Sequence, residues 1–156
     1  MQARLNPTAA APDAYKAVAA LDRYSVKDSG LEPRLIHLIK LRASQINGCA
    51  YCVDMHVKEA RRDGLGEQWI NLVCAWRESP IYDARERAVL GWVEAVTNIA
   101  QTGAPDSAFQ PLKEFFSDTE IVNITVAISS INVWNRLAVS FRIPHPIDAP
   151  VKAAGA

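Results

Sequence analysis

The sequence predicts one all-α domain of about six or seven helices over residues 1–156. Apolar residues recur at spacings of three and four along most of the chain. Two capping pairs, Asp83 with Glu86 and Ser117 with Glu120, stand before apolar runs. No stretch shows the alternating apolar pattern around a tight turn that is typical of a β-hairpin. The compact helical class rests on these observations.

The helix boundaries follow from the residues at their ends. Pro33 suits the first turn of a helix, and the Asn47-Gly48 dipeptide predicts a tight turn between two helices. We expect an N-terminal arm at 1–12 and a C-terminal tail at 144–156. The expected helices cover residues 13–24, 33–46, 49–63, 67–76, 83–101, 106–116 and 121–141.

The last of these helices is apolar around most of its circumference. Its apolar residues cannot all face one neighbour, so a helix with this pattern is buried on every side. On composition alone, a central core helix of a monomer and burial by a second subunit are equally good interpretations. The apolar set is Ile121, Val122, Ile124, Val126, Ile128, Ile131, Val133, Trp134, Leu137 and Val139.

The composition excludes several classes of partner. The 156 residues contain 17 basic and 17 acidic residues, so the formal net charge is zero. No positive excess is present for binding nucleic acid or an anionic membrane surface. The longest uncharged stretch, 121–135, is shorter than the ~20 apolar residues of a membrane span. With 3 cysteines and no apolar N-terminal secretory stretch, we expect a cytoplasmic protein.

The motif that carries chemistry is Cys49-Ala-Tyr-Cys52-Val-Asp-Met-His56. On a helix at about 100° per residue, the two thiols and the imidazole share one face. Cys49 and Cys52, at i and i+3, are within reach of a disulfide. Cys52 and His56, at i and i+4, are within reach of a hydrogen bond. The positive end of the helix dipole favours a thiolate at this position.

Magnitudes indicate which part of this motif matters most. A thiol pKa that falls from about 8.5 to about 7 raises the thiolate fraction at pH 7 by roughly 16-fold. Intrinsic nucleophilicity falls by roughly 5-fold over the same shift, so the net gain is about 3-fold. General acid–base catalysis by a positioned imidazole is worth about 10²–10⁴-fold. The larger contribution is therefore expected from His56.

These residue types match the steps of thiol peroxidase chemistry. Cys52 is expected to attack the peroxide, with His56 acting first as base and then as acid toward the poor leaving group. Cys49 is expected to attack the resulting sulfenic acid and close a disulfide. No cofactor is required, and the partners expected are a hydroperoxide and a dithiol electron donor. A non-enzymatic redox sensor, whose cysteine pair switches between dithiol and disulfide, is the alternative.

Four further interpretations of the cysteines are weaker. Structural zinc requires four ligands, and the motif supplies three, with Cys74 or His37 as a possible fourth. Free cysteines are often simply buried in a core. A thioredoxin-like redox motif needs a βαβ context, and covalent haem attachment needs a His directly after Cys52. Neither condition is met here.

The hairpin predicted around Asn47-Gly48 brings His37 within about one helical turn of His56. A second imidazole could orient the first or relay protons, and a local structural partner is an equally good interpretation. Asn132 and Asn135 are expected to be structural amides, and Cys74 an inert buried thiol. The four tryptophans, Trp69, Trp76, Trp92 and Trp134, are expected in the core.

The run LIHLIKLRASQINGCAYCVDMH resembles the alkylhydroperoxidase D-like core of the carboxymuconolactone decarboxylase superfamily. The similarity extends through AWRESPIYDARERAVLGWVEAVT and INVWNR, which together span most of the chain. The motif of that family places a Glu twelve residues before Cys-x-x-Cys-x-x-x-His. His37 occupies that position in this sequence.

The resemblance implies an all-helical, typically oligomeric fold and a peroxidase that reduces hydroperoxides through the cysteine pair. By position in the motif, Cys52 resembles the peroxidatic thiol, Cys49 the resolving thiol and His56 the proton-relay residue. A relay through His37 would be neutral or cationic, where the family's Glu is anionic. The resemblance does not imply decarboxylation, because the true decarboxylases of the superfamily are not defined by this cysteine pair.

Overall fold

The computed structural model describes residues 2–149, and the secondary structure in that range consists of helices and turns, which confirms the all-α class. Residue 1 of the predicted arm and residues 150–156 of the predicted tail lie outside the described residues. A π-helical turn follows α2 and a 3₁₀ turn follows α5. Within the described range the α-helices are α1 (Pro7–Ala10), α2 (Pro12–Arg23), α3 (Pro33–Ile46), α4 (Ala50–Arg62), α5 (Glu67–Leu72), α6 (Ala84–Thr97), α7 (Ile99–Thr102), α8 (Asp106–Lys113) and α9 (Asp118–Phe141).

Seven of these helices correspond to the predicted ones, and the two additional helices, α1 and α7, have 4 residues each. Helix α1 lies inside the predicted arm, where the Asn6 side chain accepts hydrogen bonds from the backbone N–H groups of Thr8 and Ala9. Helix α7 results from a break at Asn98 in the predicted helix 83–101. The Asn98 amide donates to the Glu94 carbonyl, a local bond that competes with helix continuation.

The core is built around α3 and α9. Helix α3 packs against α4, α6 and α9, and α9 also contacts α2, α4, α6 and α8. Their buried side chains include Leu38, Ile39, Ile124, Ile128 and Ile131, each 0% exposed. Helix α9 is thus the central core helix of this chain, although Val122 and Val139 remain 60% and 48% exposed. The expected homo-oligomer stays a prediction.

Both predicted capping boxes are present. Asp83 accepts from the Glu86 backbone N–H at the start of α6, and Ser117 accepts from the Glu120 backbone N–H at the start of α9. The Glu side chains bond back to the N–H groups of the capping residues. Because Ser117 is itself the cap, α9 begins at Asp118, three residues before the predicted start at 121.

Buried charges tie the helices together. Glu86, 4% exposed, accepts from Arg34 at 2.6 Å and from the Trp69 indole at 3.1 Å. Trp69, Trp76 and Trp92 are buried as predicted, and Trp134 is half-buried. The indole N–H groups of the three buried tryptophans each donate to a side-chain oxygen, which satisfies their one polar atom in the core. The acceptors are Glu86, Glu94 and Thr125.

The prediction of a buried Cys74 is wrong. Its thiol is exposed, and it donates to the Asn71 carbonyl at 3.4 Å. The helix predicted over 67–76 ends early and continues as the 3₁₀ turn Val73–Ala75, which rotates this side chain outward from the apolar stripe. None of the helices within residues 2–149 combines the length and apolar character needed to cross a membrane.

We expect Ile128→Ala to lower the free energy of unfolding by about 2–5 kcal/mol, because it leaves a cavity at a position without solvent exposure. Val122→Ala on the same helix is the matched control, and it should change stability by about 0.5 kcal/mol or less. Urea unfolding followed by circular dichroism measures both. Equal losses in the two variants would contradict the central position of α9.

Candidate functional site

The turn between α3 and α4 sets the position of the cysteines. Helix α3 ends in a Schellman motif, in which the Gly48 N–H donates to the Gln45 carbonyl and the Cys49 N–H to the Ser44 carbonyl. Gly48 has φ +63°, in the left-handed region where a residue with a Cβ is strained. The Asn-Gly dipeptide therefore forms the predicted turn and delivers Cys49 directly to the start of α4.

Amide side chains on α9 hold this turn against the core. The Asn47 side-chain N–H groups contact the amide oxygens of Asn132 at 3.0 Å and Asn135 at 2.9 Å. Asn135 in turn donates to the Ser44 hydroxyl, and Asn132 donates to the Thr97 hydroxyl. The structural interpretation of the two α9 amides is confirmed, because their polar atoms are bonded to protein groups.

Cys49 is the N-cap of α4, and its sulfur accepts the Cys52 backbone N–H at 3.2 Å. The two cysteines form a disulfide with Cα atoms 5.3 Å apart, and each is 1% exposed. The i, i+3 spacing at a helix start thus brings the sulfurs together as the sequence indicated. Across residues 2–149, no group of three or more His, Cys, Asp or Glu side chains is arranged to hold a metal ion.

His56 lies one helical turn after Cys52 and is 2% exposed. Its Nδ1 is 2.8 Å from Glu59 Oε2 on the same helix. Because an ionised carboxylate can only accept a hydrogen bond, we assign the ring proton to Nδ1, which leaves a lone pair on Nε2. Glu59 was missed at the sequence level. Its i, i+3 spacing from His56 was the available signal.

Burial controls the charge of this imidazole. Desolvation lowers the pKa of His56, and the hydrogen bond to Glu59 only partly opposes that effect. The hydrogen bond from His56 is the main reason that the pKa of Glu59 is lowered. Both directions favour a neutral imidazole donating to an anionic carboxylate. Among the side chains of residues 2–149, Nε2 of His56 is the buried polar atom without a hydrogen-bond partner.

A cavity of about 570 Å³ adjoins Cys52, His56 and Glu59. Its polar side also contains an ion pair between the buried Lys40 and the partly exposed Asp22, in which Lys40 Nζ lies 2.7 and 3.0 Å from the two carboxylate oxygens. Neither residue of this pair was predicted from the sequence to belong to the site. A lysine in the largely apolar run from Leu35 to Leu41 was the signal. The rest of the lining is largely apolar and aromatic, including Tyr15, Tyr51, Met55, Trp134 and Leu137.

The N-terminal arm closes one side of this cavity. The Arg4 backbone N–H donates to the Phe141 carbonyl at 2.9 Å, and its guanidinium donates to the Ser140 carbonyl at 3.0 Å. These bonds fix the arm to the C-terminal end of α9. Residues 5–8 consequently lie along the cavity wall.

A second cavity, of about 510 Å³, adjoins Cys49 instead of Cys52. Its walls come from the start of α4, the end of α9 and the segment that follows α9. Val139, Arg142, His145 and Ile147 contribute to the lining.

His37 is 8% exposed, and its Nε2 lies 2.9 Å from Asp63 Oδ2, at the C-terminal end of α4. It lines neither of the two cavities described above. The structure therefore gives His37 the local partner that one of the two interpretations expected. Its predicted assistance to His56 stays a prediction.

The lowered pKa of His56 predicts a pH-dependent stability. Below about pH 6.5 the unfolded chain protonates this side chain while the buried ring stays neutral, so the folded state loses stability as the pH falls. We expect the free energy of unfolding to fall from pH 7 to pH 5.5 more steeply in wild type than in His56→Gln. The difference in slope is at most about 1.4 kcal/mol per pH unit. Urea unfolding at several pH values measures it, and parallel profiles would contradict a buried neutral His56.

Comparison with known proteins places this arrangement in a family. Residues 12–95 match the carboxymuconolactone decarboxylase family. The uncharacterised protein YdfG of Bacillus subtilis (strain 168) is 34% identical over 140 residues, which are 90% of this chain and 95% of that protein.

Solved structures agree on the fold. A protein of unknown function from Agrobacterium tumefaciens, named as a candidate antioxidant defence protein AhpD, is 65% identical with a TM-score of 0.92. The match covers 94% of this chain and 100% of that chain. An alkylhydroperoxidase AhpD core protein from Ralstonia eutropha JMP134, described as peroxidase-related and uncharacterised, is 25% identical with a TM-score of 0.77. That match covers 89% of this chain and 74% of that chain. The chain thus has the AhpD-like fold, and it belongs to the carboxymuconolactone decarboxylase family.

Proposed function

We propose that this protein is a thiol peroxidase that reduces hydroperoxides through Cys49 and Cys52, with His56 transferring the proton. The observation that carries the proposal is the Nε2 atom of His56, which is buried without a hydrogen-bond partner in the described structure and borders the same cavity as Cys52. A buried polar atom without a partner is costly unless a ligand or reacting group completes it. The Cys52 thiol or a bound hydroperoxide would supply that partner.

In the reduced enzyme, Nε2 of His56 accepts the proton of the Cys52 thiol. The thiolate attacks the terminal oxygen of the hydroperoxide, the O–O bond breaks, and the imidazolium returns the proton to the departing alkoxide. The products are the alcohol and a Cys52 sulfenic acid. The buried neutral imidazole is suited to the first step, since it holds its lone pair at pH 7.

The second step closes the disulfide. Cys49 attacks the Cys52 sulfur and displaces the sulfenic hydroxyl. The hydroxyl leaves as water after it takes up the proton of the Cys49 thiol. The 5.3 Å separation of the Cα atoms supports direct closure without unwinding α4. A dithiol donor then reduces the disulfide and restores the pair. No cofactor takes part in this cycle, and we propose that it operates in the cytoplasm.

Glu59 has the role of a positioning residue. Its carboxylate fixes the Nδ1–H tautomer of His56 and the direction in which the ring faces. The family's motif places an acid at the position of His37, and in this chain the acid bonded to the imidazole comes from α4. His37 remains a proposed assistant to His56, acting from α3 beside Asp63.

We expect Cys52→Ser to abolish reduction of cumene hydroperoxide with dithiothreitol as donor, since the attacking atom is lost. His56→Ala should slow turnover by about 10²-fold or more, because proton transfer to the leaving oxygen is lost. Cys74→Ser, which removes the exposed thiol, is the control and should retain wild-type turnover. Full activity in the Cys52 or His56 variant would reject the assigned roles. One stoichiometric oxidation of wild type, without turnover by any dithiol donor, would support the redox-sensor alternative instead.

Glu59 variants separate its positioning role from a general structural one. Glu59→Gln keeps an acceptor for Nδ1–H but removes the negative charge, and Glu59→Leu removes both. We expect Glu59→Leu to lower kcat by about 10-fold or more and Glu59→Gln to lower it less. Loss of the charge should also move the acidic limb of the pH–rate profile to lower pH in Glu59→Gln. Equal kcat values and unchanged profiles in the two variants would overturn the role.

A further inference from the structure

The disulfide lies in the wall between the two cavities. Cys52 borders the first cavity and Cys49 borders the second, and neither cavity is lined by both cysteines. The wall itself is a small apolar cluster in which the disulfide packs against Ala138, Tyr51 and Ile143. Both cavities share these three residues as lining. The two cavities therefore reach the disulfide at different cysteines.

We propose that the second cavity is the binding site for the reducing thiol, which attacks Cys49 there while the hydroperoxide meets Cys52 in the first cavity. The inference rests on the proposed function for the identity of the oxidant. The donor chemistry that fits is an aliphatic thiol or dithiol, with the attacking sulfur as thiolate.

Charge distinguishes the two cavities. The first contains the carboxylates of Asp22 and Glu59 together with the ammonium of Lys40. The described lining of the second contains Arg142 and His145 but neither Asp nor Glu. An anionic thiolate is therefore attracted to the cavity beside Cys49 and disfavoured beside Glu59. The half-exposed Val139 supplies an apolar surface for an aliphatic stem.

The chemistry balances in two exchanges. The donor thiolate bonds to the Cys49 sulfur, the S–S bond breaks, and its electron pair leaves on the Cys52 sulfur. A second donor thiolate then attacks the donor sulfur of the mixed disulfide and releases Cys49. In total the donor loses two electrons and two protons and becomes a disulfide, and the cysteine pair gains them. Attack at Cys49 leaves the Cys52 thiolate beside His56, ready for the next hydroperoxide.

Two bulky substitutions on α9 test the separation. Val139 lines only the second cavity and Leu137 only the first, so Val139→Trp and Leu137→Trp form a matched pair. Each is introduced with Cys74→Ser into chains that retain a single site thiol, made by Cys52→Ser or Cys49→Ser. The probe is the neutral disulfide 2,2′-dithiodipyridine, and the observable is the rate at which the remaining thiol is labelled.

We expect Val139→Trp to slow labelling of Cys49 by about 10-fold or more while Cys52 labelling stays within about 2-fold. Leu137→Trp should have the reverse effect. Separate access would be overturned if one variant slowed the labelling of both thiols. It would also be overturned if Leu137→Trp slowed the labelling of Cys49 and Val139→Trp did not. Because this assay uses no peroxide, it decides the access route even if the protein fails to turn over hydroperoxides.

The charge argument has its own test with the native disulfide. Reduction is followed with 2-mercaptoethanesulfonate, which is anionic, and cysteamine, which is cationic. Arg142→Ala should lower the ratio of the anionic to the cationic rate by about 3-fold or more at low salt. An unchanged ratio would overturn reduction from the Arg142 side. Circular dichroism is the control for folding, which we expect to be retained because the Arg142 side chain is exposed at the end of α9.

Discussion

The hydrogen-bonded turn at Asn47-Gly48-Cys49 is the constraint on which the rest of the site depends. The left-handed Gly48 lets α3 stop and α4 begin within a few residues, and the Schellman bonds fix the angle between the two helices. The amides of Asn132 and Asn135 then attach the turn to α9. The Asn132 and Asn135 side chains are buried, so breaking their bonds to Asn47 would leave the Asn135 amide oxygen unsatisfied, and this cost restrains the turn. The same bonds therefore fix the position of the cysteine pair at the start of α4.

Burial gives the site its chemical character. In water an imidazole would be partly protonated near neutral pH, whereas desolvation keeps His56 neutral and leaves Nε2 free to accept a proton. A buried carboxylate or ammonium without a partner would be costly, and each one here has a partner. Glu59 accepts from His56, and Lys40 is bonded to Asp22. The polar side of the first cavity is therefore compatible with the apolar core around it.

Helix α9 contributes both to the stability of the core and to the walls of the two cavities that lead to the disulfide. Its inward side chains form the centre of the core, while its C-terminal turns supply wall residues to both cavities and anchor the N-terminal arm. Residues two positions apart, Leu137 and Val139, consequently face different cavities. A change in the packing of this helix would affect both the disulfide and the routes by which reactants reach it.

The sequence by itself determined the features that depend on neighbours within one or two helical turns. These include seven of the helices, both capping boxes, the Asn-Gly turn and the common face of Cys49, Cys52 and His56, because spacing along a helix fixes which side chains meet. Only the tertiary structure decided the pairing of His37 with Asp63 and the existence of two cavities. Such contacts join residues far apart in the chain, and the burial that keeps His56 neutral depends on every helix packed around it.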